Sequence, residues 1–204
     1  MKKGLIRIFT LILTVSMGIQ PVFAEDDSIL TIDDYNSALQ EVANEYDVNV
    51  SVNDYSAIGE ITQEKIDEAK ESVKVFAESF EIIESNEPVA LTTNGPRRAS
   101  KANRTRSGYF DVNCAYGSAT IKVTMTATIG LENYLITNVY NKKAYQDGVA
   151  INFSSWTTSS ISTTLNYARS GNVLAKVSGR AVFVFSGLTY SKNATGSCII
   201  DFTA

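Results

Sequence analysis

Between positions 119 and 129, Ala119, Ile121, Val123, Met125, Ala127 and Ile129 alternate without a break with Thr120, Lys122, Thr124, Thr126 and Thr128. A period of two held this long describes a strand with one dry and one wet face, since no helix gathers these apolar side chains together. The same period recurs on both sides of it. Expected strands run through Tyr109–Tyr116, Tyr134–Tyr145, a segment opening with Val149, Ile151 and Phe153, then Ile161–Tyr167, Val173–Phe185 and Ser197–Thr203. Gly130, Asp147-Gly148 and Ser170-Gly171 supply turns, Asp147-Gly148 being the strongest hairpin signal, and Gly179 reads as a bulge. About seven strands at this turn spacing predict an all-β, sandwich-like domain over residues 108–204. An immunoglobulin-type domain is not indicated, because the one tryptophan, Trp156, follows Cys114 by 42 residues.

Upstream the period is helical. Thr31 and Asp34 form a capping-box-like start, and Tyr35, Ala38, Leu39, Val42, Ala43 and Tyr46 follow at helical spacing, predicting a helix from Thr31 to Tyr46. Val48, Val50 and Val52 alternate as a short strand. From Thr62 as N-cap, Ile66, Ala69, Val73, Phe76, Phe80 and Ile83 recur in steps of three and four, predicting a second helix that continues to about Glu84. The fold class is therefore α+β, with a helical region over residues 25–90 (two helices around a short strand) preceding the sheet domain.

Charge divides the chain at the same place. Eighteen acids face three lysines between Glu25 and Pro96, whereas twelve bases face four acids from Arg97 onward. Arg97, Arg98, Lys101, Arg104 and Arg106 fall within ten residues and follow Gly95-Pro96. Such a tract predicts a solvated, flexible linker over residues 91–107. Arg97, Arg98, Arg104 and Arg106 are accordingly the candidate processing positions, since a protease needs chain that can lie extended in its cleft.

The first 24 residues have the three parts of a secretory leader: Lys2, Lys3 and Arg7, an apolar run from Ile8, and Val22-Phe23-Ala24 after Pro21. Export is the expectation, and the short lysine-led leader is of bacterial type. An exported chain with two cysteines is expected to pair them. Alternation places Cys114 with Phe110 and Val112, and Cys198 with Ile200 and Phe202, so both thiols are expected in one core. A Cys114–Cys198 disulfide would stabilise by about 4–5 kcal/mol in the chain-entropy model.

Histidine is absent, which removes Ser-His and Cys-His nucleophile pairs and imidazole metal sites. No phosphate-cradling glycine loop and no calcium-loop spacing occurs, so neither cofactor nor metal is expected. The expectation is a secreted, non-enzymatic binding protein. Its basic sheet domain would be drawn to an anionic surface polymer or anionic lipid, while export and the acidic half speak against nucleic acid. Lys142 and Lys143 beside Tyr140 and Tyr145 form the one local cluster of bases and aromatics. Trp156 completes the candidate binding set if it stands on an exposed loop; a core position is the alternative. A second expectation is a pro-protein, whose acidic helical region masks a basic antibacterial or membrane-active domain until the linker is cut. A third is an assembly protein associating through its helices.

Overall fold

The computed structural model of the chain describes residues 30–85, 101–130, 135–165 and 171–203. The expected leader over residues 1–24, and the stretch 86–100 with Arg97 and Arg98, lie outside the described residues. The fold is α+β: helices α1 (Ile32–Glu45) and α2 (Gln63–Ser79) and eight strands. The strands are β1 (Asn49–Val52), β2 (Glu81–Glu84), β3 (Lys101–Cys114), β4 (Gly117–Gly130), β5 (Ile136–Ile151), β6 (Phe153–Thr164), β7 (Asn172–Phe185) and β8 (Leu188–Asp201). They form two antiparallel four-stranded sheets, sheet I ordered β1-β8-β7-β6 and sheet II ordered β2-β3-β4-β5.

Helix α1 begins at the expected box. Thr31 Oγ1 accepts from the Asp34 amide and Asp34 Oδ2 accepts from the Thr31 amide at 2.8 Å, satisfying two amides that the first turn leaves unpaired. Thr62 caps α2 in the same manner through the Lys65 amide. Helix α2 stops at Ser79, although the apolar period runs on through Phe80 and Ile83. The Ala115 amide donates to Ser79 Oγ at 2.8 Å, and Glu81–Glu84 pairs with Asn113–Phe110 of β3. A sheet edge rich in unpaired amides recruits the β-branched Ile82-Ile83 pair, and tertiary pairing overrides helical periodicity.

The expected linker is shorter than its charge suggested. Lys101–Ser107 are the first half of β3, and each pairs with β4 from Gly130 to Thr124. Pairing with apolar and hydroxyl-bearing residues of β4 outweighs the repulsion among the bases, which alternation splits between the two faces, Lys101 outward and Arg104 and Arg106 inward. Asp147-Gly148 makes no hairpin either: β5 runs through it, with a register shift between Thr120↔Asp147 and Ser118↔Ile151. Gly148, at φ +74°, is a bulge. The chain changes sheets instead at Asn152, whose carbonyl accepts from the Val184 amide at 2.8 Å. A true two-residue hairpin joins β7 to β8 at Ser186-Gly187, both at positive φ as a turn matching strand twist requires.

The acidic and basic regions share one core. Strand β1 pairs with β8 from Val50↔Tyr190 outward, and β2 pairs with β3, so the helical region supplies an edge strand to each sheet. Phe76 of α2, fully buried, packs against Phe183 at 5.8 Å and Tyr190 at 5.1 Å between ring centroids. One continuous cluster runs from Tyr35 through Phe76, Ile121 and Tyr190 to Phe202. The two regions are therefore not separately folded halves. Residues 101–204 alone are expected to lack cooperative unfolding and dispersed amide resonances, and Phe76→Ala is expected to cost about 3–5 kcal/mol in urea titration. A cooperatively folded 101–204 fragment would refute the shared core.

Candidate functional site

Pairing register decides which side chains share a face. Directly opposite residues of an antiparallel ladder project the same way, so the outer face of sheet II carries three rows. Strand β3 gives Lys101, Asn103, Thr105, Ser107, Tyr109 and Asp111; β4 gives Thr128, Thr126, Thr124, Lys122 and Thr120; β5 gives Asn138, Tyr140, Lys143, Tyr145 and Asp147. Across these rows Thr105 and Thr126 hydroxyls lie 2.9 Å apart, Ser107 and Thr124 2.9 Å, and Thr128 donates to Asn103 Oδ1 at 2.8 Å. The result is a hydroxyl ladder, each rung bonded to itself.

Lys122 sits at the centre of one rung. Its Nζ lies 5.5 Å from the Tyr109 ring centroid on one side and 3.7 Å from Asp147 Oδ2 on the other, with Tyr145 opposite it on β5. The Tyr109 phenol, then the Asp147 carboxylate, hold its ammonium above the ordinary lysine range. Tyr145 and Lys143 are exposed and Tyr140 half-buried. Both lie on this outer face because an extra residue, Asn141 at φ +51°, interrupts the register between Tyr140 and Lys143.

Two members of the expected binding set lie elsewhere. Lys142 turns toward the other sheet, with Nζ 3.5 Å from Thr163 Oγ1 of β6. Trp156 lies on β6, not on a loop, and faces the core. Its ring meets Phe110 edge-on at 5.6 Å and its Nε1 donates to Thr158 Oγ1 at 3.0 Å. Gly179, expected as a bulge, keeps regular register with β8 but lies beside a register shift against β6, where Thr158 and Ser160 face Gly179 and Ser178; a Cβ there would stand 2.5 Å from Cζ2 of Trp156. The missing side chain is the space the indole fills.

The bases are not gathered on one face. Lys101, Lys122 and Lys143 stand on sheet II, and Lys176 and Arg180 on the outer face of sheet I, where Arg180 donates to Ser191 Oγ. Lys192 faces inward over the Phe80 ring at 5.7 Å. Arg104 and Arg106, opposite Ala127 and Met125, are on the inner side of β3, and Arg104 Nη1 donates to the Phe202 carbonyl at 2.8 Å. A strand paired along its length is poor protease substrate, so these two arginines are not in the extended tract expected of processing positions.

The expected disulfide is absent, and both cysteines are free. The parity was right and the position along the strand was not. Cys198 Sγ lies 2.8 Å from where a Cβ on Gly108 would stand, whereas Cys114 ends β3 six residues further on. Six residues of strand span about 20 Å, far beyond the roughly 7 Å between Cα atoms that a bridge allows.

Sequence reasoning passed over a concavity of about 320 Å³ between α2 and the β7–β8 hairpin, lined among others by Tyr35, Lys65, Glu68, Phe185 and Tyr190. Part of its polar lining is already engaged: Lys65 Nζ donates to the Ile58 and Glu60 carbonyls, and the Tyr190 and Ser72 hydroxyls lie 2.9 Å apart. Only three-dimensional packing brings these residues together, so no sequence spacing announces them. Among the described residues there is no group of three or more Cys, Asp or Glu placed to hold a metal ion, and no helix long and apolar enough to cross a membrane. No protein family matches the chain, and neither a curated protein nor a solved structure is similar enough to match it.

Burial pushes the Tyr190 phenol up to about 12, and pushes Cys198 up to about 12 with the Glu84 charge adding to the effect. Both stay protonated in the folded state at pH values where the unfolded chain, with ordinary values of 10.0 and 9.0, has ionised. Folded protein then binds more protons, so stability is intact below pH 9 and falls as pH rises toward 12. Denaturant midpoints across that range check this, and Tyr190→Phe is expected to flatten the decline. Thiol titration without reductant is expected to find Cys198 unreactive in the native protein and both cysteines reactive in denaturant; a mass two hydrogens short would restore the disulfide.

Proposed function

We propose that the chain is an exported, non-enzymatic binding protein whose outer face of sheet II holds an anionic polymer or lipid headgroup of a cell envelope. Export is supported by the leader-like residues 1–24. The carrying observation is the register that sets Tyr109, Lys122 and Tyr145 in one rung, with Lys143 and Tyr140 beside it on the same face. Ammonium groups supply attraction to phosphate or carboxylate. Phenol rings supply flat apolar area with a hydroxyl at the rim, which suits sugar or headgroup surfaces. The hydroxyl ladder beneath restrains the side chains that line it, lowering the entropy lost when a ligand orders the face.

This reading rests on two lysines and three tyrosines rather than on the net positive charge of residues 97–204, whose described bases are divided between the two sheets. The pro-protein alternative has less support. A cut within residues 86–100 severs the link between β2 and β3, yet residues 30–85 would stay attached through the shared core and both edge strands.

The test is retention of residues 25–204 on isolated envelope polysaccharide and, separately, on vesicles with and without anionic lipid. Lys143→Ala combined with Tyr145→Ala is expected to reduce retention about ten-fold or more, with an unchanged melting temperature because both side chains are outward. Retention is expected to weaken with added salt. Equal retention of the double variant on both supports rejects this face as the binding surface.

A further inference from the structure

Four strands end the two sheets, and three of them carry features that discourage further pairing. Strands β1 and β2 are four residues each. Strand β5 carries Lys142, Lys143 and Asp147, with irregular register at Asn141 and at Gly148. Short length, lysines and bulges are the usual ways a sheet edge is protected from pairing with another chain. Strand β6, Phe-Ser-Ser-Trp-Thr-Thr-Ser-Ser-Ile-Ser-Thr-Thr, has twelve residues without a charge or a proline. Among the described residues it pairs only with β7. Register shifts near Ser154 and Ser159 interrupt it, but Ser160–Thr164 pairs regularly with Ser178–Leu174, and among the described residues no strand is hydrogen-bonded along its opposite edge.

We propose that this edge pairs antiparallel with the same edge of a second copy, centred on Ser162. A two-fold contact requires a surface complementary to itself. Antiparallel pairing about Ser162 sets Ser160 opposite Thr164 and Ile161 opposite Thr163 of the second copy. Every opposed pair is then uncharged and hydroxyl-bearing on at least one side, the kind of cross-strand pair that stabilises a sheet. The nearest charges are Lys142, held 3.5 Å from Thr163 on the inward side, and Lys176, opposite Ser162 on β7. Two copies bring these like-charged ammonium groups within roughly a Debye length of each other, so the pairing strengthens with added salt. That dependence is opposite in sign to the one expected for envelope binding through sheet II, so the two readings fail independently. Five residues of strand bury little surface, and the dimer is correspondingly weak, with a dissociation constant on the order of 100 µM.

Ser162 is exposed and lies on the two-fold, where it meets its own copy. Sedimentation equilibrium of residues 25–204, which include every described element, tests the pairing. Wild type is expected to dimerise. Ser162→Lys and Ser162→Glu, each folded with the wild-type circular dichroism and melting temperature, are expected to dimerise about ten-fold or more weakly, because like charges then oppose each other. An equimolar mixture of the two variants is expected to recover association. Wild type that stays monomeric at about ten times the stated constant overturns the proposal. So do variants that dimerise as wild type does, or a mixture that fails to recover.

Discussion

The insertion of Phe76 between Phe183 and Tyr190 is the contact on which the rest of the molecule depends. Two antiparallel sheets can close on each other only as far as their side chains interdigitate, and at the β7–β8 end sheet I presents large rings, Phe183 and Tyr190. Helix α2 fills that space. The Ser72 hydroxyl meets the buried Tyr190 hydroxyl, which would otherwise be a buried polar group without a partner, while the Tyr116 hydroxyl donates to the Ser72 carbonyl at 2.9 Å. An acidic amphipathic helix thus becomes part of the interior of a sheet domain whose net charge is positive. Its charges stay outside, and only its apolar stripe enters.

That arrangement changes what the charge asymmetry means. Opposite net signs in consecutive segments suggest two bodies held together or apart by electrostatics. With a common core and a strand exchanged into each sheet, electrostatics is a minor part of what joins them. The ion pairs Lys70–Glu41 and Lys122–Asp147, both at 3.7 Å, are partly solvated, the kind of pair that contributes at most about 1 kcal/mol. Binding chemistry is then a matter of which few side chains share an outer face, and this is set by pairing register.

Register is also the boundary of what could be read from sequence. Alternation identified β3, β4 and β7, the capping residues located both helix starts, and hydrophobic parity correctly turned Cys114 and Cys198 inward. Each of these depends on neighbours within a few residues. What failed depends on which residue lies opposite. Asp147-Gly148 resembles a hairpin until β4 is placed beside it, and Ser186-Gly187, a weaker local signal, makes the real one. Lys142 and Lys143 are adjacent in sequence, so strand alternation points them to opposite faces, and the extra residue Asn141 at φ +51° decides that Lys143 is the one sharing the outer face with Tyr140. Trp156, set among serines and threonines, has polar neighbours along the chain and apolar ones across the fold, where Gly179 makes room for it. The candidate face on sheet II was legible only as a cluster around Tyr140–Tyr145; its partners Tyr109 and Lys122 come from two other strands.

Strand β1 is made early in the chain and its partner β8 is the last strand, with Val50 opposite Tyr190. Sheet I therefore gains β1 only after β8 has been made, a closure across about 140 residues whose entropic cost makes it slow. Strands β3, β4 and β5 pair with their neighbours along the chain and need not wait for it, whereas the seating of Phe76 on Tyr190 must.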